Sequence, residues 1–228
     1  MNDEEVKIIV FFGPPGTGKG TLAQRCILNL GWKHISTGSL CRKFASLNNE
    51  IGLKIAERIN KGYYIEDELM LEMVINVFDN FVLNREKYSK TLLLDGFPRN
   101  SRQIELILSE LNKKNIKYNL KFFIFEATDN IVTERLLNRM ICSNKDCEFV
   151  YSKLQNKDLN LCHKCNFQLV KRDDDKEDSI KIRLKNYHDV KSLMLNFLEY
   201  NSIENFMLDA SRKSDDIFES FINKVNQK

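Results

Sequence analysis

The chain has 228 residues, 43% hydrophobic and 29% charged, a composition ordinary for a globular protein of one or two domains. A formal net charge of +3 gives no ground by itself for a nucleic-acid binder, and the longest apolar runs are strand-length, which excludes a transmembrane helix. The acidic start, Met1 to Glu5, lacks the features of a secretory leader or an organelle transit peptide, and Asn2 stands where a myristoyl anchor needs glycine. Six cysteines, four of them in two close pairs, fit a reducing compartment and a metal site better than a disulfide framework. A cytoplasmic protein with no membrane or nucleic-acid partner is expected.

The apolar run Ile8 to Phe12 reads as a buried strand of a parallel sheet. It ends in a glycine-rich loop, Gly13 to Gly18, followed by Lys19 and a helical pattern through Leu22, Ala23, Cys26, Ile27 and Leu30. Strand, loop and helix in that order make a phosphate-binding loop: glycines turn backbone N–H groups inward, the helix start adds its positive end, and Lys19 adds a full charge. The general pattern asks for Ser or Thr directly after the lysine; here Gly20 intervenes and the hydroxyl is on Thr21.

His34 to Gly38 reads as a short strand running into a loop, followed by helices over 39–47 and 51–61, with Gly62 as a stop. A helix over 66–84 opens with Glu66, Asp67 and Glu68, acidic as a first turn should be. A second buried strand, Thr91 to Asp95, ends in Gly96-Phe97-Pro98-Arg99. Helix 101–113, strand 119–126, helix 129–140, helix 175–200, strand 203–209 and helix 214–227 follow. Strands alternating with helices predict an α/β fold with a doubly wound parallel sheet.

Between 141 and 171 neither period persists, and a structureless loop of that length needs something to hold it. Cys142-x4-Cys147, fourteen residues, then Cys162-x2-Cys165 supply four thiolates that can close tetrahedrally on a structural Zn²⁺. His163 is an alternative ligand, and free buried cysteines an alternative reading. Asp146, Glu148 and Asp158 argue against a nucleic-acid finger. Cys26 and Cys41 fall on predicted helices and are expected in the core.

Arginines are well placed for anions, because the guanidinium fork grips phosphate oxygens bidentately. Arg42 lies one turn after Ser36-Thr37-Gly38, and Arg99 leaves a strand end, where open α/β sheets place ligands. Arg135 and Arg139 are four apart on one predicted helix and share a face, and Arg172 and Arg183 flank the acidic start of the next long helix. The three histidines, 34, 163 and 188, stand in no triad-like setting.

The motif Gly-x-Pro-Gly-x-Gly-Lys-Gly-Thr at 13–21 resembles the loop of the adenylate kinase family of nucleoside monophosphate kinases. Ser-Thr-Gly-x-x-x-Arg at 36–42, Asp-Gly-Phe-Pro-Arg-x-x-x-Gln at 95–103 and the stretch Arg139 to Arg183 are similar to it too, the last resembling the branch with a four-cysteine zinc lid. Leu154 to Lys157 stands where such lids usually carry Pro-Pro.

The resemblance implies a P-loop core (1–35, 66–137 and 176–228), a helical AMP-binding insert (36–65) and a zinc lid (138–175). It implies reversible transfer from Mg·ATP to AMP giving two ADP, with Mg²⁺ held mainly by phosphates and water. The ATP-binding residues it implies are Gly13, Gly16, Gly18, Lys19, Gly20, Thr21, Arg135, Arg139 and Arg212. The AMP-binding residues it implies are Thr37, Arg42, Ile65 (through its carbonyl), Gly96, Arg99, Gln103, Arg172 and Arg183. The catalytic set it implies is Lys19, Arg99, Arg139, Arg172 and Arg183, with Asp95, Asp174 and Asp175 in the metal environment, favourable charge at a helix N-terminus being the other reading of Asp174 and Asp175. A monomer is expected. GTP in place of ATP is the alternative donor, and a catalytically silent nucleotide-binding regulator is the alternative from another class.

Overall fold

The computed structural model describes residues 5–47, 49–83, 90–144, 147, 149–155 and 158–226. Five parallel strands form the central sheet: β1 (Val6–Phe12), β2 (Lys33–Ser36), β3 (Thr91–Asp95), β4 (Tyr118–Glu126) and β8 (Glu204–Asp209), in the order β2-β3-β1-β4-β8. Helices α1 (Lys19–Leu30), α2 (Thr37–Ala45), α3 (Glu50–Asn60), α4 (Asp67–Leu83), α5 (Ser101–Lys113), α6 (Asp129–Leu137), α7 (Glu177–Tyr200) and α8 (Ser214–Val225) complete the α/β architecture. No helix among the described residues is long and apolar enough to cross a membrane.

The central strands β1, β3 and β4 are buried on both faces because they are apolar at consecutive positions, as parallel strands require. Val6, Ile8, Val10 and Phe12 point to one side, with Leu92, Leu94, Phe122 and Ile124, and pack on α4, α5 and α7. Ile9 and Phe11 point to the other, with Leu93, Phe123 and Phe125, and pack on α1 and α8. There Phe11, Phe123 and Phe221 meet edge to face, at centroid distances of 5.4 Å (Phe11–Phe221) and 4.6 Å (Phe123–Phe221). Cys26 and Cys41 are buried in these cores, as expected.

Register decides where the site lies. Phe11 of β1 and Ser36 of β2 both pair with Asp95 of β3, so three strands end level with one another. The loops that leave them therefore share one edge of the sheet, the carboxyl edge where open α/β sheets bind ligands.

One helix differs from expectation. The stretch read as helix 129–140 stops at Leu137, capped by Asn138, whose Nδ2 donates to the Glu134 carbonyl at 2.9 Å. Arg139 then begins β5 (Arg139–Cys142), which pairs antiparallel with β6 (Val150–Ser152) and β7 (Leu169–Val170). Arg135 and Arg139 therefore do not share a helix face. Cross-strand pairing and the alternate burial of Met140 and Cys142 outweigh the helical spacing. Thus 141–171, read without a period, and the two residues before it hold a three-stranded sheet whose small core is Met140, Cys142, Cys162 and Leu169. Within it Asp146, Glu148, Asn156 and Lys157 lie outside the described residues, as does the predicted helix end at 84.

Candidate functional site

Gly13 to Gly18 curls over the N-terminus of α1. A Cβ on Gly13 would stand 2.7 Å from the Phe125 carbonyl oxygen, and one on Gly16 2.7 Å from that of Val132, so only glycine lets the loop lie this close to the sheet and α6. Gly18, the N-cap of α1, supplies no side-chain partner, so the first N–H groups of the helix are left to an anion. Lys19 Nζ donates to the carbonyls of Gly13 (2.9 Å) and Pro14 (2.6 Å) and to Thr17 Oγ1 (3.1 Å). Burial pushes its pKa down to about 8, helped by Arg99, Arg183 and Arg139 and opposed by Asp95.

Asp95 closes β3 beside this loop, its Oδ2 3.7 Å from where a Cβ on Gly20 would sit. Burial raises its pKa, but His34 (Nε2 to Oδ2 3.9 Å) and the charges of Lys19 and Arg99 outweigh it and hold the carboxyl below its usual range. The acid is ionised. Arg99 leaves the same strand end, its Nε donating to the Gly96 carbonyl at 2.6 Å and its Nη2 reaching Thr37 Oγ1 at 3.4 Å. Thr37, the first residue of α2, donates its hydroxyl to the Gly96 carbonyl at 2.9 Å.

Gln103, in the first turn of α5, is buried and held from two sides. Its Oε1 accepts from the Arg99 N–H at 2.7 Å, and its Nε2 donates to Asp67 Oδ1 at 2.7 Å. Reversing the amide would set donor against donor and acceptor against acceptor, so its orientation is fixed. Asp67 also accepts from Asn100 Nδ2 at 3.1 and 3.2 Å. Its part here was not read from the sequence, because an acid in a first turn has a sufficient explanation in the helix dipole.

Opposite, three arginines and two aspartates interlock. Arg139 donates to both oxygens of Asp175 (2.7 and 2.5 Å), Arg172 to both of Asp174 (3.0 Å each), and Arg183 to Asp175 Oδ1 (3.2 Å). Burial raises the Asp174 pKa, yet Arg172, Arg183, Arg139 and Arg42 together hold it well below the usual carboxylate range. The set has one cation in excess. Arg135 Nη1 donates to the Ala210 carbonyl at 2.6 Å, and Arg212 lies 3.5 Å from Asp216.

A single cleft of about 1660 Å³ joins these groups. Its wall carries Gly13, Gly16, Gly18, Lys19, Gly20, Thr21, Asp95, Gly96, Arg42, Arg99, Arg135, Arg139, Arg172, Arg183 and Arg212. Thr37, Ile65, Gln103, Asp174 and Asp175 are not on the wall; Thr37 and Gln103 touch Arg99, and the two aspartates brace wall arginines. Tyr64, which no sequence pattern singled out, is on the wall beside Arg99.

The sulfurs of Cys142, Cys147, Cys162 and Cys165 all lie within 4.8 Å of one another, Cys142 and Cys165 at 3.3 Å and Cys147 and Cys162 at 3.7 Å. Four Zn–S bonds of about 2.3 Å place tetrahedral sulfurs about 3.8 Å apart, and separations of 3.3 and 3.7 Å for the two closest pairs are compatible with Zn²⁺ after small shifts. His163 is outside it. The Tyr151 hydroxyl lies 3.2 Å from Cys162 Sγ and accepts from the His163 N–H at 3.0 Å. Burial raises the Cys162 pKa, but Tyr151 and the N–H groups of Lys164 and Cys165 bring it down to about 6. Cys142 and Cys147 also face the cleft, so this module forms part of its roof.

The family profile described as adenylate kinase matches residues 11–203. An adenylate kinase of Mycoplasmopsis pulmonis is 35% identical over 223 residues, covering 97% of this chain and 99% of its own. One of Hydrogenobaculum sp. is 32% identical over 214 residues (93% and 97%), and one of Thermotoga neapolitana 38% identical over 182 residues (78% and 79%).

Proposed function

The chain belongs to the adenylate kinase family, and on that premise we propose how its residues move a phosphoryl group between nucleotides. It is a nucleoside monophosphate kinase, catalysing Mg·ATP + AMP ⇌ 2 ADP. The attacking atom, an oxygen of the AMP phosphate, is already anionic, so neither a side-chain nucleophile nor a strong base is required. Catalysis rests on holding two polyanions together and neutralising the charge on the transferring group.

One observation supports the assignment most: the lysine-tipped loop and the guanidinium groups of Arg99, Arg139, Arg172 and Arg183 converge on one cleft. The loop N–H groups, with Lys19 and Thr21, hold the ATP phosphates. Arg135 and Arg212, beside the Ala210–Ser211 carbonyls, border the donor base. Arg42 and Arg99 take the AMP phosphate, while the Gln103 amide and the Ile65 carbonyl, which stand behind the wall here, are assigned to its base once the 36–65 insert closes. Asp174 and Asp175 hold Arg139, Arg172 and Arg183 together until phosphate oxygens replace the carboxylates. Mg²⁺ bound with ATP neutralises charge on the phosphates, and the ionised oxygen donors of Asp95 suit a hard cation and its water shell.

Residues 36–65 form the AMP-binding insert and 138–175 a zinc-stiffened lid, and their closure excludes the water that would otherwise take the phosphoryl group. Cys142, Cys147, Cys162 and Cys165 hold structural zinc. A thiol set of this kind suits a reducing cytoplasm, and we assign a monomer.

The nucleotide pair is tested by a coupled assay of AMP against ATP, GTP and ITP, then of ATP against UMP and CMP. ATP with AMP should exceed every other pair by about tenfold or more. GTP matching ATP would move the donor assignment to the GTP:AMP phosphotransferases.

A further inference from the structure

Tyr64 has no part in the roles given above. It lies half-buried on the cleft wall, between the end of α3 and the first turn of α4. The Arg99 guanidinium lies over the face of its ring, with Cζ 4.7 Å from the ring centroid. A guanidinium carries all five N–H donors in its plane and none on its faces. An aromatic face takes none of the oxygen acceptors from those donors, while the cation–π contact limits movement of the group. Two in-plane groups already have partners, Nε on the Gly96 carbonyl (2.6 Å) and Nη2 on Thr37 Oγ1 (3.4 Å), so face and edge together fix the direction of the fork. Tyr64, itself in the 36–65 insert, is tied to α3, where its carbonyl accepts from Arg58 Nε at 2.8 Å.

We propose that Tyr64 is a positioning residue for the acceptor phosphate: its ring, carried by the 36–65 insert and tied to α3 through Arg58, sets the direction in which Arg99 meets AMP. The inference rests on the acceptor-phosphate role given to Arg99 above.

Initial rates with AMP varied at saturating ATP, and with ATP varied at saturating AMP, test it. Tyr64→Leu should raise the KM for AMP about three- to tenfold, with kcat and the KM for ATP within about twofold of the parent. Tyr64→Phe keeps the ring and should match the parent. Adenosine, which has no phosphate, should bind Tyr64→Leu and the parent equally. An unchanged KM for AMP in Tyr64→Leu overturns the proposal. So does a loss shared by ATP or adenosine, or a Tyr64→Phe variant as impaired as Tyr64→Leu. If Tyr64→Leu does not fold, Tyr64→Met compared with Tyr64→Phe carries the same test. Arg99→Ala separates the two levels. If it leaves the KM for AMP unchanged, the role of Arg99 itself falls; if it raises that KM while Tyr64→Leu does not, only the role of Tyr64 falls.

Discussion

Lys19 sits on three oxygens of its own loop, and its pKa is pushed down to about 8 by burial and by three arginines. The sign of the consequence follows. Polyphosphate binds the protonated amine and raises its pKa, so ATP affinity should weaken as pH rises through about 8. Above that pH each ATP bound should take up close to one proton, and well below it Lys19 should contribute no uptake. Calorimetry in buffers of different ionisation enthalpy reads this directly. Lys19→Met should abolish the uptake and lower turnover by about a hundredfold to a thousandfold. Uptake persisting in the variant would place the titrating group elsewhere. The lysine was legible in the sequence because loop, charge and helix start are contiguous there. The contact of Tyr64 with Arg99 was not, since a contact between distant segments leaves no periodic mark.

At the scale of elements, most strands and helices of the core were legible because each satisfies one strong period or one buried run. The error came at Leu137–Arg139, where helical spacing continues but the chain turns into a β-strand. No local signal marks that change, because the strand is specified by its partners β6 and β7. The four cysteines were legible by spacing alone, and the structure gathers them around one point. Such a small core leaves the metal most of the work of holding this module. Elemental analysis should therefore find about one zinc per chain. A strong chelator, or Cys162→Ser, should lower the thermal midpoint by roughly 5 °C or more, in line with a loss of a few kcal/mol. Finding no zinc in protein purified without chelators would remove the metal from the account.

At the scale of the molecule, a parallel sheet whose strands end level sets the loops after β1, β2 and β3 side by side. Spacing in the sequence named nearly every arginine on the cleft wall, but it could not show that Asp174 and Asp175 hold three of them together. That bracing depends on the β-module and the start of α7 meeting over the P-loop, a relation only the folded chain defines. The central claim is that these groups form one site in which the phosphoryl group passes from nucleotide to nucleotide and not to water. Its most direct test is to follow ATP and ADP in the purified protein with Mg²⁺, with and without AMP. The account predicts two ADP formed for each ATP consumed when AMP is present, and ATP consumption slower by about a hundredfold or more when it is absent. ATP turnover indifferent to AMP, or one ADP with free phosphate for each ATP, would contradict it.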